Sequence, residues 1–128
     1  MKIPLTAIDS SSLEDAIVER FITAAGGNLG LSRRGHVAEM IAITPGGLST
    51  KQALERAIAP LVDLLLDDIA LMTTEPWPSR TDQSVGTEIE ESDDSITIVL
   101  RGLTTGNELI RLEAIPLSSF VRNDINGS

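Results

Sequence analysis

Apolar residues recur at helical intervals near the start of the chain, from Leu13 to Ala24. This period predicts an amphipathic helix over about residues 12–25. Ser11 and Glu14 are three residues apart, which is the spacing of a capping box. We therefore expect Ser11 to cap the helix and Glu14 to lie on its polar side.

A short helix and a long helix are predicted next. The segment Val37–Ile43 is too short for periodicity to decide between helix and strand, but its Ala, Glu and Met content favours a short helix. The long helix follows a second capping box, Ser49 with Gln52, and continues to about residue 72. Its apolar face consists of Leu54, Ile58, Leu61, Val62, Leu65 and Ile69.

The second half of the long helix is apolar on more than one side. Leu64, Leu65 and Leu66 place apolar side chains around much of its circumference. A helix with this pattern is usually covered by more than one neighbour. We therefore expect the sheet or a partner protein to cover Leu64 and Leu66.

Alternation of apolar and polar residues with a period of two indicates strands in the last third of the chain. In the third of these strands, Ile110, Leu112 and Ala114 are predicted to share the apolar face. The pattern predicts an α+β fold, in which two main helices and one short helix precede a three-stranded antiparallel meander. The predicted strands are Thr87–Glu91, Ser95–Leu103 and Glu108–Ile115.

A length of 128 residues predicts a single domain, 1–128, with a core of its own. That core is aliphatic, since the chain has many Leu, Ile and Val residues but only two Phe, one Trp and no Tyr. We expect the tail to be loosely held. The predicted parts are a helical half at 10–72, a linker at 73–86, the meander at 87–117 and the tail at 118–128.

Acidic residues outnumber basic ones by 19 to 10, so the net charge is −9. Such a surface repels phosphate backbones, which argues against nucleic-acid binding. No apolar run is long enough for membrane insertion, and the absence of cysteine excludes disulfides and thiolate metal sites. We expect a protein that is cytoplasmic at synthesis.

Candidate catalytic and metal-binding motifs are absent. The chain has no Gly-x-Ser-x-Gly, no Walker loop and no His-Glu-x-x-His. His36 is the single histidine, and the acidic residues between Glu88 and Asp94 lack the ligand order of a calcium loop. We therefore predict a protein that is not an enzyme, with no cofactor, no metal and no small-molecule substrate.

Two features predict contacts with other proteins. Trp77 stands between Pro76 and Pro78, which hold the linker extended, so its ring either packs on its own core or binds a partner. Arg33 and Arg34 lie in a predicted loop, which is either simply solvated or, if it has a role, a contact for an acidic partner rather than a catalytic site.

The order of these elements resembles that of the small baseplate wedge proteins of contractile phage tails and type VI secretion systems. The resemblance covers residues 11–117 and depends on the order of elements and on a helix-to-strand junction at Leu65–Leu71. The family typically has aromatic-Glu-Pro-Arg-Ile at this junction. The resemblance therefore identifies only Asp68 and Ile69 as junction residues and implies no catalytic residue. The resemblance implies a structural subunit that joins wedge components and helps to dock the sheath, located in the virion or injection machine.

Three functions remain open from the sequence. The first is a non-enzymatic assembly subunit of the baseplate wedge type, acting through contacts with other proteins of a larger assembly. The second is an acidic inhibitor or immunity-type module that binds a basic protein, because 12 of the 19 acidic residues lie between Asp63 and Glu113. The third is a dimer similar to secretion chaperones, which binds an unfolded segment along an apolar patch.

Overall fold

Helices occupy the first part of the chain and an antiparallel sheet the last part, which confirms the predicted α+β class. The computed structural model describes residues 3–27, 30, 35–75, 77–78 and 84–121. The helices are α1 (Ser10–Ala24), α2 (His36–Ala42) and α3 (Thr50–Thr73). The strands are β1 (Val85–Ser92), β2 (Ser95–Gly102), β3 (Glu108–Arg111) and β4 (Ile115–Pro116).

The start of α1 differs from the prediction. Asp9 is the N-cap, and its carboxylate accepts hydrogen bonds from the amides of Ser11 and Ser12 at 3.2 and 3.4 Å. Because aspartate supplies the acceptor one residue before the helix, Ser11 is not the cap and lies inside the first turn. The predicted capping box of Ser11 with Glu14 is wrong, and Glu14 is buried rather than on the polar side.

The predictions for α2 and α3 are confirmed. The capping box of α3 is present, since the Ser49 hydroxyl accepts from the Gln52 amide at 3.1 Å and the Ser49 amide donates to the Gln52 side chain at 3.0 Å. The apolar face of α3 is fully buried, and α3 packs against β1 and α2.

The sheet has the order β1-β2-β3, and β4 pairs with the other end of β2 on the same side as β3. Arg111 pairs with Val99 but Ile115 pairs with Ile96, so one extra residue stands between the two ladders. Such a bulge reverses the direction of the side chains that follow it. Ala114 is therefore exposed and Ile115 fully buried, and the prediction that Ala114 shares the apolar face is wrong.

The two ends of the described chain meet. Ile8 forms an isolated antiparallel bridge with Val121, and the Asp9 amide donates to the Phe120 carbonyl at 2.7 Å. Leu117 begins a 3-10 turn, Leu117–Phe120, and is fully buried. The first residues of the predicted loose tail are thus held in the fold, while residues 122–128 lie outside the described part.

Candidate protein-contact surfaces

Trp77 contacts its own core. Its ring is half-buried and lies edge-on to Phe21, with ring centroids 6.1 Å apart and an angle of 63° between the planes. Aromatic pairs favour this geometry because the positive edge of one ring meets the negative face of the other. The indole thus packs on α1 while part of its surface stays exposed.

The other candidates on α3 have different environments. Leu64 and Leu66 are half-buried, and Leu66 packs against the core of the molecule. Ile69 is fully buried, so a partner cannot reach it in this fold. Asp68 and Ile69 lie within α3, and β1 begins only at Val85, so the expected helix-to-strand junction at Asp68 and Ile69 is wrong.

The candidates Arg33 and Arg34 lie outside the described residues. The chain that follows them is anchored from α1: the Glu14 carboxylate accepts from the amides of Gly35 and Val37, each at 2.9 Å. Glu14 is only 1% exposed. Because Gly35, the N-cap of α2, has no side chain, Glu14 supplies the acceptors for this helix end.

A shallow cleft of about 280 Å³ separates α1 from β3. Arg20 and Arg111 line it, but both guanidinium groups already have partners. Arg20 donates to the carbonyls of Glu113 and Ala114 at 2.9 and 3.0 Å and to the Ala16 carbonyl at 3.2 Å, so each of its three nitrogens already has a backbone acceptor. The lining residues are Glu19, Arg20, Thr23, Ala24, Arg111, Leu112 and Glu113.

Ion pairs cover the outer face of the sheet, opposite the helices. Arg111 donates to Glu90 and, at 2.8 Å, to Glu108, while Arg101 and Glu88 approach to 3.3 Å. The hydrogen bond from Arg111 lowers the pKa of the Glu90 carboxyl, and the two glutamates raise the pKa of Arg111. This acidic run is thus partly neutralised by arginines of neighbouring strands.

Among the described residues, large apolar side chains are exposed at four places, one of which is Val121 at 41%. Leu71 and Met72 are 78% and 48% exposed at the C-terminal end of α3. Ile43, which follows α2, is 73% exposed, and Leu103, in the turn after β2, is 68% exposed. The run Ile69-Ala70-Leu71-Met72 continues the apolar character of α3 and is the signal that could have indicated its exposed end.

The described residues contain no group of three or more His, Asp or Glu side chains that could hold a metal ion. No helix in the described part of the chain is long and apolar enough to cross a membrane. No protein-family model matches the chain, and no curated protein or solved structure matches it either.

Proposed function

We propose that this chain is a non-enzymatic assembly subunit that acts through protein contacts, similar to the baseplate wedge proteins of contractile tails. The observation that carries the proposal is the C-terminal end of α3. There the apolar side chains continue past the core into solvent, at Leu71 and Met72. The order of helices followed by a meander is the order that the resemblance implies.

The end of α3 has the character of an uncovered contact surface. Leu65 and Ile69 are fully buried, but the next turn exposes two large apolar side chains. The half-exposed Trp77 follows shortly after the helix. Burying a side chain such as Leu71 stabilises a complex by about 1.5–3 kcal/mol, so covering the end of α3 favours binding of a partner.

The experiment is co-expression of the full chain with the proteins encoded beside it, followed by light scattering on the purified complex at low and at molar salt. We expect a complex of fixed stoichiometry that persists at molar salt, since apolar contacts are not screened. Leu71→Glu should release the chain from the complex. The matched control is Ile43→Glu, which places the same charge at an equally exposed apolar position of another element.

Two outcomes contradict the proposal. A chain that stays monomeric at both salt concentrations, with no stable complex, contradicts the assembly function. Equal loss of the complex with Leu71→Glu and Ile43→Glu contradicts the assignment to the end of α3.

The net charge of −9 favours an acidic inhibitor or immunity-type module as the second candidate. Electrostatic steering would then govern binding, so the association rate with a basic partner would fall steeply as salt is added. A complex that forms at low salt and dissociates at molar salt supports this second function over the first. A stable dimer of the chain alone would support the chaperone-like alternative instead.

A further inference from the structure

The two edges of the sheet are built in opposite ways. The edge formed by β3 and β4 is short and irregular: β3 has 4 residues and β4 has 2, and Pro116 stands in β4. A register shift at Leu100 and Arg101 and the bulge at 112–114 interrupt it further. Bulges and proline are devices that prevent another strand from pairing with an edge.

Arg20 also forms hydrogen bonds with the backbone of this irregular edge. Its guanidinium donates to the carbonyls of Glu113 and Ala114 at 2.9 and 3.0 Å, so the backbone acceptors of the bulge already have a donor. An incoming strand would have to displace these hydrogen bonds. The β3–β4 edge is therefore protected.

The opposite edge, formed by β1, has none of these devices. β1 has 8 residues and pairs with β2 from Val85 to Ser92 without a register shift. It contains no proline and no lysine, and no described strand lies beyond it. A long, regular edge of this kind is a template for strand addition.

The backbone groups that β1 offers can be identified from the ladder. The Leu103 amide donates to the Ser84 carbonyl at 2.8 Å, which places the bonded pairs of this antiparallel ladder at the even-numbered residues of β1. The backbone N–H and C=O groups of Val85, Thr87 and Ile89 therefore point to the outer edge.

We propose that β1 binds an extended segment of a partner protein with lysine or arginine at alternate positions, added as a further strand along Val85–Ser92. This inference rests on the proposed assembly function and names a second contact surface, in addition to the end of α3, together with the chemistry of the segment that it binds. The cations would lie beside Glu88 and Glu90 on the outer face of the sheet. The apolar residues that alternate with the cations would lie on the inner face of the sheet, beside Val85 and Thr87, which are half-buried.

The charges favour a basic segment over a second copy of this chain. β1 carries three glutamates and no cation, so a second β1 would bring further glutamates to this face, and each chain has a net charge of −9. Opposite charges across neighbouring strands stabilise a pair, and like charges destabilise it. The present partner of Glu88 is the half-buried Arg101, but the Glu88 side chain itself is 46% exposed, so Glu88 can also accept a cation from a new strand.

The test uses the isotope-labelled full chain and an acetylated peptide of alternating lysine and valine, as long as the 8 residues of β1. At a peptide concentration about ten times the dissociation constant, amide exchange at Val85, Thr87 and Ile89 should slow roughly tenfold. Exchange at Glu88, whose amide faces β2, should not change. Glu88→Gln together with Glu90→Gln should weaken binding and leave the fold unchanged.

Modified peptides separate strand addition from charge attraction. We expect the added strand to run antiparallel to β1, and in that orientation the valine amides face β1 and the lysine amides point away. Methylation of the valine amides should therefore abolish protection, whereas methylation of the lysine amides should reduce it far less. Equal protection by both methylated peptides, or by a peptide of alternating glutamate and valine, overturns the proposal.

Failure of this proposal and failure of the proposed function give different results. If the co-expressed complex forms but no peptide protects the β1 amides, the edge proposal is wrong and the assembly function stands. If the chain alone forms a dimer that protects Val85, Thr87 and Ile89, a second copy occupies the edge, and the basic partner is wrong.

Discussion

Glu14 shows how one residue determines the position of a whole helix. The first turn of any helix has amides without intrahelical partners, and α2 follows Gly35, which has a φ of 77° and no side chain to accept from them. Glu14 supplies both acceptors from α1, across 23 positions of sequence in the case of Val37. The position of α2 therefore depends on a side chain that belongs to another element.

Replacing Glu14 should destabilise the protein more than replacing an exposed glutamate. Glu14→Ala leaves two amides at the start of α2 without acceptors, so the free energy of unfolding should fall by about 2–4 kcal/mol. Glu14→Gln keeps one acceptor oxygen, so it should lower the free energy of unfolding by less than Glu14→Ala does. Urea unfolding checks both values, with Glu19→Ala as the exposed control on the same helix, expected to change stability by less than about 0.5 kcal/mol. A Glu14→Ala variant as stable as the control contradicts the role assigned to this carboxylate.

Arg20 has the corresponding role at the sheet. Its side chain donates to the Ala16 carbonyl of its own helix at 3.2 Å as well as to the two carbonyls of the bulge. Arg20→Met retains much of the apolar stem but none of these donors, so we expect a loss of about 1–2 kcal/mol in the free energy of unfolding. Amide exchange should accelerate at 112–115. Arg56→Met, an exposed arginine of α3, is the control, and unchanged exchange at the bulge in Arg20→Met would refute the argument.

At the scale of elements, the ion pairs on the outer face of the sheet connect its strands. Val99 lies on this face between Glu88 of β1 and Arg111 of β3, its partners in the two ladders, and it is fully buried. Long charged side chains can cover an apolar neighbour with their methylene groups while their charged ends remain in water. The ion pairs thus protect an apolar residue as well as joining β1, β2 and β3.

The lowered pKa of Glu90 predicts a pH dependence with a definite sign. Folding favours the charged form of Glu90. The stabilisation of the fold by this carboxylate is therefore fully present above its ordinary pKa of 4.5 and is lost as the pH falls through the lowered pKa. Glu90→Gln should therefore be less stable than the native chain at neutral pH, and the two should converge in acid. Molar salt should also reduce the difference, because the pair is exposed.

Thermal unfolding across this pH range measures the effect. Glu55→Gln, on α3, serves as the control and should show no such convergence. A constant difference between the native chain and Glu90→Gln from neutral to acid pH would mean that the charge of Glu90 is not the cause.

For the molecule as a whole, the C-terminal segment holds the helices and the sheet together. Leu117 directly follows β4 and is fully buried, its amide donates to the Asp94 carbonyl at 2.8 Å, and the 3-10 turn that it begins packs against α1. The bridge between Ile8 and Val121 then joins this segment to the chain that enters α1. The turn therefore contributes to the core although it lies near the end of the described chain.

Leu117→Ala should reduce the free energy of unfolding by about 2–4 kcal/mol, because it leaves a cavity among fully buried side chains. Ser118→Ala, the exposed neighbour, should have almost no effect. Chemical denaturation monitored by the Trp77 fluorescence checks both. If the two variants unfold at the same denaturant concentration, the segment does not belong to the core.

Local patterns of the sequence were sufficient for the class of fold and for most elements. The helical period of Leu54 to Ile69 and the alternation around Ile98 record which face of each element is buried, and a capping box such as that of Ser49 acts within a single turn. These features depend on residues close in sequence, so they can be recognised without knowledge of the fold.

Only the tertiary structure decided where Glu14 and Arg20 form their hydrogen bonds, that Ala114 faces outward, and that one edge of the sheet is protected while the β1 edge is open. The partners in these cases are far apart in sequence: Arg20 and Ala114 are separated by 94 positions. Periodicity specifies which face of each element is buried, but not which distant backbone group needs a donor or an acceptor. That need arises only when helices and strands have packed, because packing removes the water that would otherwise form those hydrogen bonds.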